Sequence, residues 1–168
     1  MTKQMLLDQL RAHVTPDEWD ILTRQAAIIL PLAGFGAAAC MPEASEDLKA
    51  ARQPWMLPIN AFNLQQYMEM KDLKIPKTDE KDLDEEQVEG CRRTLTAFLQ
   101  KVFSEDPSAW KWIIDSCIYL AFIAERPMHP VEVLKIQTQE EGGGTVYRCP
   151  GKMQGEDSCC AYCVCEPI

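Results

Sequence analysis

Five cysteines lie close together in the last part of this sequence, and they are the residues best suited to bind a metal. They are Cys149, Cys159, Cys160, Cys163 and Cys165. Cys160 and Cys163 have the CxxC spacing, which lets two thiolates reach one ion from a tight turn. Cys149 follows an extended segment and precedes a proline, so it is placed to supply a third thiolate. We therefore predict a metal site in this segment.

A tetrahedral site needs a fourth ligand, and the sequence leaves its identity open. Cys165 and Cys159 lie close to the CxxC pair, and His129 is the candidate outside the tail. In the simplest hairpin, with its turn in the glycine run, Cys149 faces about Lys135. His129 is then on the order of 20 Å away at ~3.3 Å per residue. This geometry disfavours the histidine, but a bulge or a tail that folds back would bring it within reach.

Zinc is favoured over iron, because one short ribbon with few hydrophobic neighbours resembles a structural site. Zinc takes four nitrogen or sulfur ligands and often holds a hairpin to a small knuckle. Iron–sulfur clusters are also held by four thiolates, and the surplus cysteine keeps that alternative open. A thioredoxin-like redox dithiol is disfavoured, because no helix follows this CxxC.

Three functions are compatible with such a site. We expect a metal-binding protein that uses zinc as a structural or interaction module and works with a protein partner. The first alternative is an iron–sulfur protein in electron transfer or metallocofactor assembly. The second is an enzyme in which Cys149, Cys160 and Cys163 leave one coordination position open for water. Such an enzyme needs a general base, and Glu156 or Asp157 are the nearest candidates.

The first 126 residues carry mainly helical signals. Thr15 and Pro16 predict a helix start, because threonine caps helices and proline suits the first helical position. Apolar residues recur at helical spacing in two further segments, at about 88–102 and 107–125. The second of these becomes apolar on all sides towards its end, which is typical of a central helix.

The two strong helices carry cysteines and one acidic residue of interest. Cys91 and Cys117 lie on apolar faces, so we predict that both are small core residues. Asp115 precedes the fully apolar run and needs a partner if it is buried. Arg92 or Arg93 is the predicted partner, and an exposed position on the outer side of the helix is the alternative.

The pattern changes after residue 127. Residues 131–139 are rich in β-branched side chains and predict a strand, with a possible bulge at 133–134. Residues 140–144 have a turn composition, and residues 145–149 predict the return strand. These segments together predict a β-hairpin that ends in the cysteine-rich tail.

Together these signals predict a mainly α fold: a compact helical bundle with a C-terminal β-hairpin and a Cys-rich metal-binding tail. We assign residues 1–126 to the helical body and residues 127–168 to the hairpin and tail. Both belong to one domain, because 168 residues is an ordinary length for a single domain.

Composition and charge exclude some classes of function. The net charge is -9, from 17 basic and 26 acidic residues, so we expect no nucleic-acid partner. The apolar stretch at 26–41 is shorter than the ~20 residues that span a bilayer, so we expect no membrane contact. No secretory signal is visible, and eight cysteines without one indicate a cytoplasmic protein with reduced thiols. Oligomeric state is left open.

Short motifs resemble those of an uncharacterised archaeal family, found mostly in methanogens and labelled only as a domain of unknown function. They are Arg-Pro-Met-His-Pro at 126–130, Tyr-Arg-Cys-Pro at 147–150 and the CxxC at 160–163. The likeness covers about the last 50 residues together with the size and helical character of the chain. It implies a site of three cysteines and one histidine: Cys149, Cys160, Cys163 and His129. The resemblance implies no activity.

This chain departs from the family pattern at two places. It adds Cys159 and Cys165, and its turn is the compact glycine run at 142–144. Both departures leave the fourth ligand undecided.

Overall fold

The computed structural model of the chain describes residues 1–33, 56–102, 107–153, 155 and 158–168. These residues are mainly helical, with a small sheet near the C-terminal end, which confirms the predicted mainly α class and its hairpin. The helices described are α1 (Lys3–Ala12), α2 (Pro16–Ala33), α3 (Met56–Asp72), α4 (Glu85–Val102), α5 (Pro107–Ile118) and α6 (Val131–Leu134). The strands are β1 (Gln137–Glu141), β2 (Gly144–Cys149) and β3 (Glu166–Pro167). Single-turn 3-10 helices lie at Lys77–Asp79 and Cys159–Tyr162, and a π-helix at Tyr119–Ile123 continues α5.

Side-chain caps define where the first helices begin. Thr15 Oγ1 accepts a hydrogen bond from the Glu18 backbone nitrogen at 3.3 Å, and Glu18 Oε2 accepts one from the Thr15 nitrogen at 2.8 Å. This reciprocal capping box satisfies two backbone donors and fixes the start of α2 at Pro16, as the sequence predicts. Thr2 caps α1 by a single bond, in which its Oγ1 accepts from the Met5 nitrogen at 3.3 Å.

The main core lies between the long helices and the π-helix. On α4, Val88, Cys91, Leu95 and Leu99 are buried, which confirms most of the predicted apolar face. Phe98 is 43% exposed, because consecutive residues on a helix point about 100° apart and Leu99 takes the inward direction. Residues 114–121 are all buried, so the predicted central helix is confirmed. No helix in the described ranges is both long and apolar enough to cross a membrane.

Asp115 is a buried carboxylate, with 1% of its surface exposed. Arg92 Nη1 donates to Oδ1 at 3.3 Å, which confirms the predicted arginine partner. His13 Nδ1 lies 3.1 Å from Oδ2, and the Tyr67 hydroxyl donates to the same oxygen at 3.4 Å. Three donors therefore compensate the cost of burying this charge.

The hairpin is present, but its first strand is shorter than predicted. β1 pairs with β2 in antiparallel register from Gln137↔Arg148 to Glu141↔Gly144, across a two-residue turn at residues 142–143. Both turn glycines have positive φ, at 61° and 88°, which suits them to a tight hairpin turn. Residues 131–134, predicted as strand with a bulge, form α6 instead. Pro130 precedes this helical turn, and Lys135 ends it in the left-handed conformation at φ 51°.

A third strand was not predicted. β3 pairs in parallel with the end of β2, with Arg148 opposite Glu166 and Cys149 opposite Pro167. Arg148 reinforces this pairing, because its Nε lies 3.4 Å from Glu166 Oε2. A strand of two residues has no periodicity, so the sequence gives no signal for it.

Candidate metal centre

A small cavity between the hairpin and the tail brings the predicted ligands together. Its volume is about 20 Å³, which is room for roughly one water-sized particle. The predicted ligands that line it are His129, Cys149, Cys160, Cys163 and Cys165. Leu134 and Ile136 close its apolar side. All five residues of the predicted site therefore surround one space of about the size of a single ion.

Two local structures hold the first three cysteines. Cys149 is the last residue of β2 and is buried. Cys160 lies in the 3-10 helix that Ser158 caps, with Ser158 Oγ accepting from the Cys160 nitrogen at 3.2 Å. The Cys163 nitrogen then donates to the Cys160 carbonyl at 3.2 Å and closes the CxxC turn. We call residues 158–163 the knuckle.

Cys165 follows the knuckle and is buried next to β3. Cys163 packs against the small buried cluster that Cys165 forms with Ile136 and Cys149. Burial raises the pKa of the Cys165 thiol to about 12, and the neighbouring Cys163 and Cys149 act in the same direction. This thiol is therefore protonated at neutral pH when no metal competes for it.

His129 reaches the cavity in spite of the distance that the simple hairpin predicts. Residues 131–134 are helical, so they advance about 1.5 Å per residue rather than ~3.3 Å. The left-handed turn at Lys135 then redirects the chain into β1. The expected separation of about 20 Å was therefore wrong. Burial lowers the pKa of His129, which favours the neutral imidazole that binds metals.

Cys159 differs from the other tail cysteines, because it does not line the cavity. Burial, and after it the neighbouring Cys160, raises the pKa of its thiol. Its side chain packs against the main helical core. Of the three candidates for the fourth ligand, the structure brings only Cys165 and His129 to the cavity.

Lys152 holds the tail in place by hydrogen bonds, although the sequence did not mark it as a site residue. Its ammonium group donates to the carbonyl oxygen of Cys163 at 3.0 Å and to that of Cys165. It also lines the cavity, where a positive charge opposes the rise in the pKa of Cys165. No sequence pattern marks a lysine that binds carbonyls eleven and thirteen residues away.

The knuckle rests on the helical body through Tyr162. A Cβ atom placed on Gly90 of α4 would lie 2.6 Å from the Tyr162 hydroxyl oxygen, so the glycine permits this close approach. The Tyr162 ring also lies 6.5 Å from that of Phe122 on the π-helix, centre to centre. A groove of about 480 Å³ beside them is lined by Gln87, Ala121, Phe122, Ala161 and Tyr162.

The donor groups are not arranged as a formed metal site. Within the ranges described, no three His, Cys, Asp or Glu side chains are grouped so that they would hold an ion. Metal ligation by these residues stays a prediction. The proposed general bases of the enzyme alternative, Glu156 and Asp157, lie outside the described residues.

Comparison with known proteins places the chain in a family. A family model described as "Uncharacterized protein conserved in archaea (DUF2115)" matches residues 43–168, which is most of the chain. The chain belongs to the archaeal DUF2115 family. The resemblance seen in the C-terminal motifs is thus confirmed, and the DUF2115 match extends it well into the helical body.

One relative comes from a methanogen, as the motifs suggest. The UPF0305 protein MJ0646 of Methanocaldococcus jannaschii is 27% identical over 118 residues, which are 64% of this chain and 67% of the relative. No solved structure matches the chain. Membership of the DUF2115 family therefore supports the relationship to these archaeal proteins but indicates no activity.

Proposed function

We propose that this protein is a zinc-binding protein in which the metal fixes the hairpin and the knuckle as one structural or interaction module. One observation carries the proposal: five potential ligands of the types that zinc prefers surround a single ion-sized cavity. The apolar wall of Leu134 and Ile136 supports a closed structural site rather than one open to water.

We assign the first ligand set to Cys149, Cys160, Cys163 and His129. Zinc with three thiolates and a neutral imidazole carries one net negative charge, whereas four thiolates carry two. Among the described residues, Lys152 is the single cation that lines the cavity. The net charge of the set with three cysteines and one histidine is therefore better balanced in a partly buried site than that of four cysteines. The high pKa of Cys165 supports the same assignment, because its proton is harder to displace.

The surroundings support a role in binding another protein in the cytoplasm. The cysteines that the structure describes are free thiols, and free thiols persist in a reducing compartment such as the cytoplasm. The acidic net charge of -9 disfavours nucleic acid as the partner. A closed zinc site contributes folding energy rather than catalysis, so the module would present a surface to its partner.

An iron–sulfur centre is the second candidate, and the surplus thiol favours it. Cys159 is the chain neighbour of Cys160, so a fifth thiol lies beside the four that line the cavity. An additional thiolate would allow ligand exchange at a cluster. Such a protein would carry electrons or assist in cofactor assembly.

Elemental analysis of the full chain, purified without oxygen, tests both candidates. We expect zinc and no colour, with the zinc content falling by one ion per chain in Cys149→Ser. His129→Gln should weaken zinc binding, whereas His13→Gln is the matched control, because it removes the other histidine of the chain. Iron with sulfide and a brown colour would replace the zinc proposal with the second candidate. Absence of any bound metal would refute both.

A further inference from the structure

The groove beside the knuckle has a lining suited to a segment of another protein. Its volume of about 480 Å³ falls within the roughly 300–1,000 Å³ that is usual for binding pockets. The π-helix contributes Ala121 and Phe122, the knuckle contributes Ala161 and Tyr162, and α4 contributes Gln87. The lining is therefore mainly apolar, with one amide that can orient a bound segment.

Two unusual local structures produce the groove. The first is the π-helix, in which the Ala124 nitrogen donates to the Tyr119 carbonyl at 2.9 Å, and such wide turns are frequent at functional sites. The second is the close approach of the Tyr162 hydroxyl to Gly90, which only the missing side chain of the glycine permits. The rings of Phe122 and Tyr162 then lie 6.5 Å apart, centre to centre, and form an aromatic pair beside the groove.

The α4 side of the groove is acidic. Residues 79–89 contain seven acidic residues and one lysine, and Gln87 lies within this run. Residues three and four positions apart on a helix are neighbours, so Gln87 and Glu86 both lie beside Gly90. The carboxylate of Glu86 is therefore on the part of α4 that Tyr162 contacts.

Part of this negative charge has no partner within the described residues. There, Lys81 pairs with Glu125 at 3.0 Å, whereas Asp82, Asp84 and Glu86 are exposed and form no salt bridge with any basic group. An acidic first turn also stabilises α4 through the helix dipole, so the charge alone does not indicate a partner. Beside an apolar groove, the same charges attract a basic segment and hold it over the lining.

We propose that the groove binds a segment of a partner protein in which an apolar side chain is flanked by lysine or arginine. The inference rests on the proposed interaction role and names its surface and the chemistry of its partner. The apolar side chain packs on Phe122 and Ala161, and a flanking cation meets Glu86 and the face of the Tyr162 ring. The Gln87 amide bonds the backbone of the segment.

The groove and the candidate metal centre share the knuckle. Ala161 and Tyr162, which line the groove, lie between Cys160 and Cys163, which line the cavity. The proposed zinc and the partner would therefore bind to the same turn of the chain. This arrangement explains how a metal that only fixes a turn could serve an interaction.

Fluorescence anisotropy with labelled peptides and the full chain tests the proposal. The probe is a peptide in which one leucine stands between pairs of arginines. The matched peptide carries glutamate in place of every arginine. We expect the arginine peptide to bind and the glutamate peptide not to bind. Serine in place of the leucine should weaken binding about tenfold, because the apolar contact is lost.

Exposed positions allow variants of the chain that keep the fold, which circular dichroism checks. Ala161→Arg places a bulky cation in the groove and should weaken binding of the arginine peptide at least about tenfold. Ala27→Arg on α2 is the matched control, because Ala27 is also exposed but lies outside the groove. Gln87→Glu keeps the side-chain shape and adds a negative charge, so it should strengthen binding about two- to fivefold. Gln87→Lys should weaken it.

Several results would overturn the proposal. They are no binding of the arginine peptide, equal binding of the glutamate peptide, and equal affinities of Ala161→Arg and Ala27→Arg. A dimer in sedimentation that Ala161→Arg dissociates and Ala27→Arg does not would assign the groove to a second copy of this chain, and would overturn the proposal as well.

The zinc content of the same samples separates this proposal from the function on which it rests. Bound zinc without peptide binding would overturn the role of the groove and leave the zinc proposal intact. Peptide binding that follows the expected order of variants in a chain without metal would support the groove and overturn the zinc proposal.

Discussion

Replacing Gly90 by alanine tests whether the knuckle is held against α4. Gly90 lies inside a helix, where alanine is intrinsically more stable than glycine by about 1 kcal/mol. An isolated α4 would therefore gain from the change. In the folded protein, the new Cβ would lie 2.6 Å from the Tyr162 hydroxyl oxygen and 3.4 Å from the ring carbon that carries it. Only the hydroxyl is too close.

The cost follows from the movement that is needed. To reach ordinary contact, the hydroxyl must retreat by about 0.8 Å, and overpacking of this kind costs about 1–3 kcal/mol. We expect Gly90→Ala to leave the free energy of unfolding unchanged or to lower it by up to about 2 kcal/mol. Tyr162→Phe removes the obstructing oxygen. In that background, Gly90→Ala should raise the free energy of unfolding by about 1 kcal/mol.

Urea denaturation of the four proteins of this double-mutant cycle, followed by circular dichroism, measures the coupling. We expect a coupling of about 1–3 kcal/mol between positions 90 and 162. A gain of about 1 kcal/mol from Gly90→Ala in both backgrounds would mean that the hydroxyl does not rest on this glycine. The placement of the knuckle against α4 would then be refuted.

Three further changes probe other contacts. Cys160→Ser should abolish zinc binding at the proposed site and loosen the tail, while circular dichroism shows the helices still folded. Complete loss of helix would contradict this. Lys111→Met should lower the free energy of unfolding most above about pH 5. The hydrogen bond from Lys111 is the main reason that the pKa of Glu18 falls from 4.5 to about 2. A lowered carboxyl pKa stabilises the fold above about pH 4.5. The difference in unfolding free energy between this variant and the wild type should therefore shrink as the pH falls towards 2. A constant difference would argue against this role of Lys111. Arg92→Met removes one donor to buried Asp115 and should cost about 1–3 kcal/mol in urea denaturation, whereas no measurable loss would show that the other donors suffice.

Much of the helical body could be predicted from the sequence, because its signals are local. The capping box at Thr15 and the apolar spacing along α4 each lie within one element. The glycine turn likewise fixes the hairpin without distant contacts. The arginine partner of Asp115 was predictable because charge and burial constrain such a pair strongly.

The remaining features depend on distant contacts. Residues 131–134 have strand-forming side chains, yet they form a helical turn whose side chains pack towards the tail. That turn brings His129 to the cavity, so a ligand disfavoured by simple hairpin geometry becomes available. Cys159 and Cys165 both lie close to the CxxC pair in sequence. Only the packing of the knuckle shows that Cys165 lines the cavity, whereas Cys159 packs against the main core.

The parallel pairing of β3 with β2 has a consequence for chain entropy. It closes the loop between Cys149 and Glu166 by backbone pairing, which the Arg148–Glu166 ion pair reinforces. Closing a loop of this length costs about 2–3 kcal/mol of conformational freedom, which the sheet and Lys152 offset before any ion arrives. Zinc fingers, by contrast, fold only with their metal. Here backbone pairing already holds Cys149 near the tail, so zinc bound as we propose would enter or leave a chain that stays folded.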